Sequence, residues 1–164
     1  MSRAFVKESD DQATELPERP QSPYPNMVTP RGLALLRQQE ADLEAQKKVI
    51  TAEEDLLDKE QVSVIDRDLR YIQDRIATAI TVDLAAQPRD HVDFGAIVDT
   101  VDENDVKHRF EIVGEDEADP SAGKISWVSP VALALKDAAV GNVVVWKRPA
   151  GNLELEVTRI VYPE

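Results

Sequence analysis

From Leu33 onward the apolar residues recur at heptad-like steps. Leu33, Leu36, Leu43 and Ile50 mark one stripe, with Glu40 and Lys47 at the intervening seam positions. A cleaner stretch follows, in which Val62, Ile65, Leu69, Ile72 and Ile76 alternate steps of three and four residues. This is the spacing of an a/d seam. Two such helices joined by a short polar turn predict an antiparallel hairpin in which each helix buries its stripe on the other. Thr29-Pro30 suits the start of the first helix, with the threonine as N-cap and the proline at the first helical position. A plain spacer or a dimerisation arm would carry the same periodicity.

Beyond residue 91 the pattern changes. Val92–Val101, Val106–Val113, Lys124–Val128, Val143–Lys147 and Leu153–Val161 read as strands. Glu103-Asn104-Asp105 and Pro149-Ala150-Gly151-Asn152 read as hairpin turns. One helix is predicted at 130–139, with Ser129 as N-cap, Pro130 at the first position and Gly141 as a left-handed stop. The acidic stretch Glu115–Pro120 reads as a solvated loop. The chain thus divides into a proline-rich acidic tail (1–28) expected to be disordered, a helical hairpin (29–83), a linker (84–91) and an α+β domain (92–164).

Charge narrows the partners. Asp and Glu total 32 against 19 Lys and Arg, a net charge of −13. Such a surface repels nucleic acid phosphates, and no basic run offsets it. A protein with a basic surface or channel is the expected partner. There are no cysteines, which excludes disulfides and thiolate metal sites. No apolar run approaches membrane length, and a soluble, cytoplasmic, monomeric protein is expected. His91 and His108 lack metal-ligand spacing. Ser126 and Ser129 have no His–Asp arrangement to make them nucleophiles. Trp127 and Trp146 read as core or edge packing, or as partner contacts.

The segment Ile125-Ser126-Trp127-Val128-Ser129-Pro130, closed by Val140-Gly141-Asn142, resembles the C-terminal signature of the Gre family of bacterial transcript-cleavage factors (GreA and GreB). Phe94-Gly95-Ala96-Ile97-Val98 and His108-Arg109-Phe110-Glu111-Ile112-Val113-Gly114 resemble two strands of the same domain. The resemblance spans roughly residues 29–163. It implies an N-terminal antiparallel coiled-coil hairpin followed by an FKBP-like antiparallel β-sheet domain with one helix. It further implies docking on bacterial RNA polymerase through a face that includes Ser126, Ser129, Pro130 and Gly141. The hairpin tip would reach toward the transcript 3′ end and supply acids to the polymerase's own Mg2+. On this reading the chain has no cofactor of its own and is not an enzyme alone.

The family tip, roughly G-D-x-x-E-N-A-E/D-Y, is absent. Leu69, Arg70, Ile72, Arg75 and Ile76 resemble the family pattern L-R-x-I-x-x-R-V/I, and reading back from them without gaps aligns Asp55 and Asp58 with the tip acids. A symmetric fold-back of the hairpin puts the tip near Leu56 as well. D-x-x-D therefore stands where D-x-x-E is expected. The arms are also shorter than in a typical member by roughly seven residues each, about 10 Å of reach at about 1.5 Å per residue. Asp58 with Gln61, and Thr51 with Glu54 after an earlier turn near Lys48, equally fit capping boxes. Cleavage stimulation and a non-cleaving occupant of the polymerase's secondary channel both remain open. A peptidyl-prolyl isomerase is a third reading, through topology alone.

Overall fold

The structure, a computed structural model, describes residues 16–52 and 58–163. Helix α1 spans Pro30–Thr51 and α2 spans Asp58–Thr78. Thr29 caps α1 as the sequence predicts, its hydroxyl accepting from the Gly32 amide at 2.9 Å. Leu36, Ile65, Leu69 and Ile72 are buried in the seam, while Leu33, Leu43, Ile50, Val62 and Ile76 are half-buried. Two helices without a third layer can cover only part of each stripe. Glu40 and Lys47 lie at the seam margin, and Lys47 Nζ reaches across to Asp66 Oδ1 at 2.6 Å. Thr51 belongs to the last turn of α1, with its hydroxyl donating to the Lys47 carbonyl at 2.8 Å. The capping box read at Thr51 with an earlier turn is therefore corrected.

Residues 16–28 differ from the tail expected. Met27–Val28 (β1) pairs in parallel with Ile80–Thr81 (β2), immediately beyond α2. Asn26 is buried, and its side-chain amide donates to the Arg75 carbonyl at 2.7 Å and to Thr78 Oγ1 at 3.1 Å. It thereby occupies one of the carbonyls that the end of α2 leaves without a helical partner. Leu84 in the linker is also buried, and its side chain fills the space a Cβ at Gly95 would need, where the backbone also takes a positive φ of 87°.

The second half forms a five-stranded curled sheet in the order β5-β4-β3-β7-β6, from Lys124–Ser126 (β5), Lys107–Val113 (β4), Ile97–Asp102 (β3), Leu153–Val161 (β7) and Val143–Trp146 (β6). Four strands run antiparallel as expected, whereas β5 joins β4 in parallel register, Ile112 opposite Ile125. The helix α3 (Pro130–Leu135) lies on the inner face. Val131, Ala132 and Leu135 pack there against Val98, Phe110, Ile112, Leu155 and Val157. The burial of β3 alternates strictly, as period-two patterning requires. The predicted helix to residue 139 stops at Leu135, because Asp137 takes a left-handed φ of 64°. Gly141, also left-handed at 91°, serves the entry to β6 instead, its amide donating to the Val157 carbonyl.

Candidate functional site

Two features meet where the hairpin joins the sheet domain. The first is the turn that carries the signature. Ser129 Oγ accepts from the Ala132 amide at 3.4 Å, Pro130 opens α3, and Ser126 Oγ accepts from the Val128 amide at 3.3 Å. The Ser129 amide closes the turn on the Ser126 carbonyl at 2.9 Å. Ser126, Ser129 and Pro130 thus come together on the β5–α3 connection. Gly141 lies apart from them in the chain, at the start of β6. Trp127 in the same turn packs on the domain core, and Tyr24 meets its ring edge-on at 6.1 Å between centroids. The buried indole Nε1 of Trp127 has no hydrogen-bond partner among the described residues.

The second feature is a set of polar contacts that fixes the base of the hairpin. Arg75 sits on the apolar side of α2 between Ile72 and Ile76 and is only 3% exposed. Its Nε meets Asp116 Oδ2 at 2.5 Å, and Glu115 lies at 3.7 Å. Tyr71 Oη donates to the other Asp116 oxygen at 2.6 Å. Burial and then this bond push the Tyr71 phenol up to about 12. Glu117 is buried against the start of α1, where Thr29 Oγ1 donates to its Oε2 at 2.5 Å. A carboxylate there complements the positive end of the helix dipole. Gly32 leaves room for it, since a methyl at that position would stand 2.7 Å from the same oxygen. Lys124 stands by Glu111 at 3.3 Å and by Glu117 at 3.9 Å.

The stretch read as a solvated loop, Glu115–Pro120, is therefore corrected. Its first three residues grip both helices of the hairpin. A sign was present in the sequence, since an arginine on an apolar helical face needs a carboxylate partner. Residues 16–24 add a strap over the same junction. Glu18 holds Arg70 with both oxygens at 2.6–3.1 Å, Arg19 lies 3.8 Å over the Tyr71 ring, and Ser22 Oγ donates to Glu115 at 3.0 Å.

Of the proposed tip acids, Asp55 lies outside the described residues. Asp58 is the first residue of α2, and α1 ends at Thr51. Among the described residues no group of three or more His, Cys, Asp or Glu side chains is placed to hold a metal ion. No described helix is long and apolar enough to cross a membrane. His91 pairs with Asp90 and His108 with Asp102, both at 2.8 Å.

Residues 87–162 match the family model described as transcription elongation factor GreA/GreB, C-terminal. GreA of Solidesulfovibrio magneticus is 37% identical over 63% of this chain and 64% of its own length. GreB of Neisseria meningitidis is 36% identical over 65% and 66%. GreA of Alkalilimnicola ehrlichii is 38% identical over 63% of this chain and 67% of its own. The matched region thus spans about two thirds of the length of these relatives. Among solved structures, GreA/GreB of Nitrosomonas europaea aligns at 22% identity over 83% of this chain and 98% of that one, with a TM-score of 0.42. GreA factor homolog 1 of Thermus thermophilus aligns at 21% over 84% and 99%, with a TM-score of 0.39. With the signature turn formed by the residues that carry the likeness and the curated relatives matched at this identity, the chain belongs to the GreA/GreB family.

Proposed function

We propose that this protein is a transcription elongation factor that binds bacterial RNA polymerase through the domain at 87–162 and inserts its hairpin into the secondary channel, in the cytoplasm. One observation carries the reading. The hairpin is clamped at its base to the signature-bearing domain by Arg75 and Asp116, while α1 ends at Thr51 and α2 begins at Asp58, at the far ends of helices of 22 and 21 residues, about 30 Å long. In this reading Asp55 and Asp58 offer carboxylate oxygens to a Mg2+ ion held in the polymerase active site, near the transcript 3′ end. Such oxygens are what a hard divalent cation takes as ligands. The chain itself contributes reach and charge, and the bond-breaking machinery belongs to its partner.

A second reading, a regulator that occupies the channel without stimulating cleavage, is favoured by the short arms and by D-x-x-D in place of D-x-x-E. A transcript-cleavage assay on a stalled, backtracked complex separates the two. Under the first, the wild type stimulates cleavage and the double variant Asp55→Asn, Asp58→Asn binds polymerase without doing so. Under the second, the wild type stimulates nothing yet displaces a cleaving factor. Failure of the wild type to bind polymerase or to compete for the channel overturns both.

A further inference from the structure

The two edges of the sheet are treated differently. At β5 the backbone of Lys124 is already taken, with its amide donating to the Asp119 carbonyl at 3.0 Å and its carbonyl accepting from the Asp119 amide at 2.8 Å. At β6 no described strand pairs with the outer side of Val143–Trp146. Residues of an antiparallel edge strand alternately direct their N–H and C=O groups away from the sheet. Natural edges are blunted by lysine, proline, a bulge, a cover or shortness. The Val-Val-Val-Trp run has only shortness. Val144 and Trp146 pack inward on the core, while Val143 and Val145 are 59% and 44% exposed on the outer face.

The row behind these valines is acidic. Glu156 stands opposite Val143 and Glu154 opposite Val145 on β7, and both glutamates are exposed. Residues directly opposite in a ladder share a face. The edge thus presents two valines backed by two carboxylates.

We infer that β6 is a strand-addition site for an extended segment of another protein that carries Lys or Arg at alternate positions. An added strand would lie about 4.8 Å from β6 and about 10 Å from β7. A lysine or arginine on its outer face then lays its methylenes over Val143 or Val145 and sets its charge at Glu156 or Glu154. Backbone pairing supplies the affinity and the alternating cations the selectivity. A second copy of this chain is disfavoured as occupant. It would bring a second glutamate pair to the seam, and each copy carries a net charge of −13.

The test uses the full chain, labelled with 15N, titrated with the hexapeptide Lys-Val-Lys-Val-Lys-Val and with its Glu-Val counterpart. The Lys-Val peptide should shift the amides of Val143–Trp146 and of Glu154–Glu156, and the Glu-Val peptide should not. The double variant Glu154→Gln, Glu156→Gln should bind the Lys-Val peptide about tenfold more weakly, on the scale of two partly shielded ion pairs. Val145→Lys, at a position exposed enough to accept it, should keep the fold and lose binding. No shifts with the Lys-Val peptide, shifts centred elsewhere, or binding indifferent to both variants would overturn the proposal. Sedimentation showing a dimer that Val145→Lys dissociates would overturn it in favour of a second copy.

Discussion

Arg75 and Asp116 stand 41 residues apart in the chain and meet at 2.5 Å, and that contact joins the hairpin to the sheet domain. The guanidinium is almost wholly buried and the carboxylate nearly so, with side chains 3% and 14% exposed. Burying a charge is tolerated only when it is paired, so each group holds the other in place. Because Asp116 also accepts from Tyr71 and its neighbour Glu117 accepts from Thr29, both helices are tied to one three-residue turn.

Breaking this pair should loosen the hairpin. Asp116→Asn leaves Arg75 buried with only the longer Glu115 contact, and loss of one partner of a buried pair costs about 3 kcal/mol or more. Urea unfolding should report the loss. Spin labels on α1 and on an outer strand should report a broadened distance distribution. An unchanged distribution would mean that the Thr29–Glu117 and Ser22–Glu115 contacts suffice to orient the hairpin.

Gly114 lets the chain before α1 pass close to the sheet domain. A methyl there would stand 2.5 Å from the Met27 backbone carbonyl, which cannot swing aside as a side-chain end can. Gly114→Ala should therefore destabilise by about 1–3 kcal/mol through overpacking. Amide exchange at Val28 and Val82 should speed up in the variant, and protection equal to wild type would contradict the expectation.

Asn26→Ala removes both side-chain bonds at the end of α2 and leaves the Arg75 carbonyl without its partner. An unsatisfied buried polar group costs about 1–3 kcal/mol. Glu18→Gln, by contrast, alters an exposed pair that solvent screens and should change stability far less. Denaturation of the two variants side by side checks the ordering.

The Tyr71 phenol should ionise near 12 rather than near 10. Its raised value means that the folded state holds the proton more tightly. The stability it contributes is present in full below about pH 10 and is lost as pH rises through about 12. Absorbance titration of wild type against Tyr71→Phe should show a phenolate step near 12 in the wild type whose amplitude falls by one tyrosine in the variant.

At the other end of the scale, hydrogen bonding to His108 first of all, against some desolvation, together with bonds from the Val106 and Asn104 amides, holds the Asp102 carboxyl below its ordinary value. The folded state therefore prefers the carboxylate, and this contribution is present above about pH 4 and lost as pH falls below it. Asp102→Asn should be less stable than wild type at neutral pH, and the gap should narrow on acidification. A gap constant down to pH 2 would argue against the linkage.

The seam residues Leu36, Leu69 and Ile72, the caps Thr29 and Ser129 and the two hairpin turns of the sheet were all legible in the sequence. Each depends on residues within a turn or two of one another, and local sterics and hydrogen bonding write such spacing directly into the chain. The parallel placement of β5 was not legible, because strand direction follows from how the segment 114–123 crosses back and not from the alternation of Lys124–Ser126. Nor was the attachment of residues 16–28, since a hydrophobic pattern cannot reveal a segment held by Asn26, Glu18 and two backbone pairs. Arg75 signalled that an acid was needed, but many acids were available. Only the tertiary structure, by bringing the turn Glu115–Glu117 against the ends of both helices, decided which one.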